Sequence, residues 1–198
     1  MKKVFIITIY TLVMAGGWWV GNNSKWSTKG IVKSVYTAYQ EPTPTSSFPV
    51  LSNPETIIIP RLGISTHIEH VGLDTRKRMD VPKNDLNTAW YSLGAKPGEK
   101  GSAVIAGHFD TREGKPAVFY TLNTLQNGDV IDVLDSNGKK LTFVVAETKT
   151  VKDSEFPIEE VFTRSDRERL NLITCAGIFD QQNKNYEDRF VAFAVLQK

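Results

Sequence analysis

Six short runs rich in β-branched residues, each bounded by turn residues, limit what this chain can fold into. They cover residues 56–59, 102–108, 130–134, 141–146, 170–175 and 190–196. Branched Cβ atoms crowd a helix and pack well on a pleated sheet, so these runs read as strands. Asp135-Ser136-Asn137-Gly138 separates the third from the fourth and is a hairpin signal. Many short strands at close spacing imply an all-β barrel or sandwich, with unpaired edges closed or covered. Helical signals are few. Ser165-Asp166-Arg167-Glu168 has the form of a capping box with Ser165 as N-cap, which predicts a short helix there. Residues 117–125 have room for one or two turns. The chain carries no internal repeat.

The 198 residues divide into three parts. Residues 4–24 carry no charge and would span roughly 31 Å as a helix, enough for a bilayer's hydrocarbon core. Trp18 and Trp19 close the most apolar part, as interfacial anchors do. No clean A-x-A cleavage site follows, so residues 1–24 read as an uncleaved transmembrane anchor rather than a signal peptide. Residues 25–54 read as a stalk, because EPTPTSSFPVLSNP is dense in Pro, Ser and Thr and makes an extended spacer. Residues 55–198 form the domain. The formal charge of +2 is uneven: residues 1–54 hold five Lys+Arg against one Asp+Glu, which leaves the domain net acidic. That balance excludes a nucleic-acid binder, which needs a concentrated basic surface.

One cysteine rules out an internal disulfide and a multi-Cys zinc site. Cys175 stands at the end of its strand, before Ala176-Gly177. A lone Cys in a strand is commonly a small core residue. Its place at a strand end, where scaffolds present reactive groups, argues for more. If the last two strands pair antiparallel, Cys175 and Arg189 lie at one end, across a loop of residues 176–188. His108 ends another strand, and all three can meet on one rim. A thiolate attacks carbonyls, a guanidinium stabilises both thiolate and oxyanion, and an imidazole moves the proton between attacking and leaving amines. His67 and His70 lie three apart in a segment that looks like strand, so they face opposite sides and read as surface or barrel-edge residues.

These residues resemble the sortases, membrane-anchored cysteine transpeptidases of Gram-positive bacteria. Leu172-Ile173-Thr174-Cys175 is similar to the family's TLxTC motif, departing at its leading Thr, with the register fixed by Thr174-Cys175. Ala106-Gly107-His108 matches the strand that ends in the family's catalytic His, and Arg189 matches its catalytic Arg. The order His, Cys, Arg is the family's, and the likeness covers residues 55–198. His108-Phe109-Asp110, the stretch from Gly114 to Tyr120, and Cys175-Ala176-Gly177-Ile178-Phe179-Asp180 look like class F, with class D as the alternative.

The resemblance implies a closed β-barrel of about eight strands with short helices, held outside a single-pass anchor in the cell membrane. It implies cleavage of a Leu-Pro-x-Thr-Gly-like sorting signal after Thr, through a thioester on Cys175. The acyl group then passes to an amine of the cell wall or of another protein. The implied partners are secreted proteins bearing that signal at their C-termini, an amine such as a cell-wall precursor, and the membrane. His108 acts as general acid and base, Arg189 holds substrate and oxyanion, and Thr174 helps position substrate. Asp110 orients His108 or caps a turn. No cofactor is expected: the calcium site found in some relatives has no counterpart, since Glu159 and Glu160 alone are too few carboxylates. Two competing readings are a tethered β-barrel binding module with an inert Cys175 and an L,D-transpeptidase-like enzyme. The latter carries a His close to its nucleophile, and no His lies near Cys175 in this sequence. A papain-like order would place Cys before His, the reverse of this chain.

Overall fold

A computed structural model describes residues 49–198. Eight strands make up most of it: β1 (Pro54–Ile59), β2 (Ile64–Val71), β3 (Thr88–Tyr91), β4 (Gly101–Gly107), β5 (Val130–Asp135), β6 (Lys140–Lys152), β7 (Glu168–Asp180) and β8 (Asn185–Leu196). They close into a barrel in the order β1-β2-β3-β4-β7-β8-β6-β5. Two joins are parallel, β2 with β3 and β4 with β7; the others are antiparallel. Short 3-10 turns at Pro60–Leu62, Leu122–Thr124 and Asp153–Glu155, and one π turn at Glu159–Thr163, complete the regular structure. The expected all-β barrel with few helices is therefore what forms. The expected anchor (residues 1–24) and residues 25–48 of the expected stalk lie outside the described residues. Among those described, no helix is long and apolar enough to cross a membrane.

Alternation along the strands makes two apolar layers. Ile57, Ile59, Ile68, Ile105, Ile131, Phe143, Leu170 and Leu172 fill the barrel with Phe119 and Leu122. Leu51 joins them, and its amide donates to the Pro97 carbonyl at 3.1 Å. A second layer lies on the outer face, where Val104, Ile173, Val191 and Phe193 pack with Val161 and partly buried Phe156 and Phe162. Strands β4, β7 and β8 are thus covered on both faces, which is why their sequences run apolar without clean alternation. Asn171 ties the outer cover down, donating from Nδ2 to the Val161 carbonyl at 2.6 Å.

Three expectations need correction. No helix forms at Ser165–Glu168. The Asp166 carboxylate binds the Arg169 guanidinium at 2.6 and 2.8 Å, and Glu168 opens β7 by pairing with Gly101. Parallel pairing satisfies backbone groups that the capping box would have turned inward. The loop foreseen at 176–188 is mostly ladder, with Phe179 opposite Tyr186 and Asp180 opposite Asn185. Asp180 caps the short reversal by accepting from the Gln182 and Asn183 amides. Strand β6 runs on past Ala146 to Lys152, because β8 offers it partners as far as Asp188. Strand β3 is too short to show in the sequence. His67 and His70 are exposed on β2, as expected, and His70 Nε2 bonds the Pro54 carbonyl at 2.7 Å.

Candidate active site

The outer apolar layer leads to one end of the barrel. Along β7, Leu170 and Leu172 point inward and Ile173 outward, so Cys175 continues the outward row. Along β8, Phe193 and Val191 face outward, and Arg189 continues their row. Cys175 and Arg189 are direct register partners, and cross-strand partners present their side chains on the same face. Along β4, Val104 and Ala106 face outward, and His108 follows two residues later. The parallel register sets Ala106 beside Ile173. Carried two residues further, it brings His108 level with Cys175. The buried Thr174 hydroxyl locks that register by donating to the Gly107 carbonyl at 2.9 Å. Three rows from three adjacent strands therefore end in imidazole, thiol and guanidinium.

Arg189 is held as a fork. One terminal nitrogen donates to the carbonyls of Tyr186 and Asp188 at 3.0 and 2.9 Å. The other reaches Asn185 Oδ1 at 2.8 Å and Asp153 Oδ1 at 3.0 Å. Asn185 Nδ2 in turn donates to Asp153 Oδ2 at 2.9 Å. These contacts set the plane of the guanidinium, which a lysine's single ammonium cannot reproduce. A polar cleft of about 390 Å³ opens beside the fork, lined by Lys152, Asp153, Asn185 and Tyr186 among others.

Burial pushes the half-buried Cys175 thiol up, Arg189 opposes the shift, and the negative charges of Asp110 and Asp153 add to it. The thiol is thus neutral at rest near pH 7, and attack on a carbonyl requires a base. Asp110 accepts a 2.5 Å hydrogen bond from the Tyr186 hydroxyl. Burial and that bond hold the phenol well above its usual value, so it stays a donor. Tyr186 also links the rings of Phe109 and Phe179, at centroid distances of 5.5 and 5.2 Å. His108 Nε2 lies 2.9 Å from the Pro82 carbonyl and 3.8 Å from Asp85 Oδ1.

Of the residues singled out in the sequence, His108, Cys175 and Arg189 share this end of the outer face. Thr174 lies just beneath, in the barrel interior. Asp110 is near Cys175, and its carboxylate is engaged by Tyr186. Asp153, Asn185, Tyr186, Pro82 and Asp85 were not foreseen. They come from segments remote from their partners, or from what the sequence presents as loop, and carry no local motif. Among the described residues, no three His, Cys, Asp or Glu side chains gather as a metal site.

Comparison with known proteins agrees with the motifs. No curated protein matches the chain. The barrel is similar to crystal structures of sortase C-1 from Actinomyces oris (23% identity, TM-score 0.56, 73% of this chain and 71% of that one) and sortase A from Listeria monocytogenes (22%, 0.55, 73% and 86%). It is also similar to the sortase D5 transpeptidase of Clostridium perfringens (20%, 0.55, 88% and 91%). At these identities the structures speak for the fold alone. The family is decided by sequence: the sortase domain model matches residues 57–197, nearly the whole barrel, and the chain therefore belongs to the sortases, a family of cysteine transpeptidases.

Proposed function

We propose that this sortase is a membrane-anchored enzyme that cleaves a Leu-Pro-x-Thr-Gly-like sorting signal after Thr and transfers the new acyl group to an amine. The observation that carries the reading is the convergence of the three outward rows on His108, Cys175 and Arg189. Cys175 Sγ attacks the Thr carbonyl carbon while its proton passes to His108. Arg189 donates to the developing oxyanion. The C–N bond breaks as His108 returns the proton to the departing amine, which leaves a thioester. The incoming amine attacks the thioester carbonyl, gives its proton to His108, and displaces the thiolate. Thr174 supports the register under this site, and Asp110 acts through Tyr186. The uncharged run at residues 4–24 supports the anchor, with the barrel on the outer side of the membrane. The natural amine is a cell-wall precursor or a group on another protein. The Cys175-to-Asp180 pattern favours class F.

Incubation with Leu-Pro-x-Thr-Gly-type peptides and glycine amines, read by mass spectrometry, tests the chemistry. Wild type is expected to show a mass increment on Cys175 equal to the acyl fragment ending in Thr. Cys175→Ala is expected to lose all cleavage while melting as wild type does. Arg189→Lys is expected to lose at least about 100-fold in kcat/KM, the scale of one lost oxyanion donor. Full cleavage by Cys175→Ala would sink the mechanism.

A further inference from the structure

The segment between β2 and β3 passes against His108, and its conformation is set from the β2 side. Both oxygens of Glu69, on β2, are spent on this segment. Glu69 Oε2 accepts from the Lys83 amide at 2.8 Å; Oε1 accepts from the Asn84 amide at 3.2 Å and from Asn87 Nδ2 at 3.0 Å. Asn84 closes the turn inside, its Oδ1 accepting from the Leu86 amide and its carbonyl from the Asn87 amide. The Thr66 hydroxyl holds the Leu86 carbonyl at 2.6 Å, and the Val118 amide holds the Asp85 carbonyl at 3.0 Å. Burial pushes the Glu69 carboxyl up, but these donors and the charge of His67 outweigh it and hold the group below its ordinary value. Glu69 is therefore ionised wherever the enzyme would work.

The fastened turn presents the Pro82 carbonyl to His108 Nε2 at 2.9 Å. A carbonyl oxygen only accepts, so the ring nitrogen facing it must carry the proton. We infer that Glu69 is a positioning residue for His108: it clamps the turn whose Pro82 carbonyl keeps the ring proton on Nε2, leaving Nδ1 to exchange protons during acyl transfer. The inference depends on the reading of His108 as the acid and base. Asp85 Oδ1, on the same turn, lies 3.8 Å from Nε2. Cys175, Arg189, Asp110, Asp153 and Tyr186 are titratable groups that the other elements bring to the site.

The test uses the full chain with ¹⁵N-labelled histidine. Long-range ¹H–¹⁵N spectra identify which nitrogen is protonated in the neutral ring. Wild type is expected to show His108 wholly in the Nε2–H form. In Glu69→Gln an amide NH₂ replaces one acceptor among three converging donors, so the turn loosens. His108 then becomes a mixture of tautomers, and kcat falls about tenfold through its misplacement. Asn87→Ala removes a single donor and is expected to give the same change in smaller degree, in a chain that keeps its fold. Asp135→Asn is the comparison for a purely structural role. Asp135 caps the β5–β6 turn at the far end of the barrel, accepting from the Asn137 and Lys139 amides. Its substitution is expected to lower the melting temperature without altering the His108 tautomer. An Nδ1–H ring in wild type, or an unchanged tautomer in both Glu69→Gln and Asn87→Ala, overturns the inference. Retained turnover in His108→Ala would instead remove the acid–base role itself, with the tautomer still read independently.

Discussion

Gly107 shows how a single residue without a side chain serves the site. A Cβ placed there would lie 2.5 Å from the Phe119 ring and 2.9 Å from Val118 Cγ1. Phe119 is fully buried, and its amide donates to the His108 carbonyl at 2.9 Å. The ring thus fills the space that Gly107 leaves, and the same residue fastens the backbone of His108. Gly107→Ala is expected to destabilise the domain by about 1–3 kcal/mol through overpacking. It is also expected to lower kcat, since the displaced ring pulls on His108. Thermal melts and steady-state peptide cleavage check the two effects, and wild-type behaviour in both would contradict this account of the Gly-His pair. The sequence displays that pair, but the reason for its glycine lies in a phenylalanine twelve residues later.

At the scale of elements, the β7–β8 hairpin carries two of the three reactive groups. Its ladder is regular through Cys175–Arg189 and Ala176–Asp188, then slips before Phe179–Tyr186. Gly177 sits in that irregularity with φ of +79°, and a Cβ there would approach Asp188 Oδ2 to 2.5 Å. Asp188 is anchored by Lys152 Nζ at 2.9 Å and precedes Arg189 in the chain. Gly177→Ala therefore combines backbone strain of about 1–2 kcal/mol with a push on Asp188. Gly138, at φ of +75° in the β5–β6 turn, faces open space. Gly138→Ala is expected to show the strain in urea unfolding but keep its activity, whereas Gly177→Ala is expected to lose stability and activity together. Equal activity in the two variants would mean that the bulge does not position Arg189. The sequence marks this region as a loop because its glycine and polar residues are turn formers. Asp180 and the pairing partners on β8 make it a hairpin instead.

At the scale of the whole molecule, the parallel join of β4 to β7 unites segments 67 residues apart, as the Gly101–Glu168 pairing records. Parallel strands need a crossover, and here it ends where Asp166 grips Arg169. The charge-assisted bonds from Arg169 hold the Asp166 carboxyl well below its usual range. A carboxyl lowered in the folded state stabilises it fully above the unfolded value of about 4, and that contribution fades as pH falls toward the folded value. The gap in melting temperature between wild type and Asp166→Asn is therefore expected to be widest above pH 4 and to shrink on acidification below it. A gap that stays constant across that range would show that the ion pair does not act through ionisation. The sequence alone determines the strand character of most of the barrel, its turn at Asp135–Gly138, and the chain order of His108, Cys175 and Arg189. Those features depend on side-chain branching, local periodicity and residue identity, all of which act within a few positions. Only the tertiary structure decides that β4, β7 and β8 are neighbours in a register that puts the three groups on one outer face. It also decides that Asp153 and Asn185 aim the guanidinium, and that Pro82 meets the imidazole. Register and neighbour choice come from burying two apolar layers at once, which is a property of the closed barrel and of no segment within it.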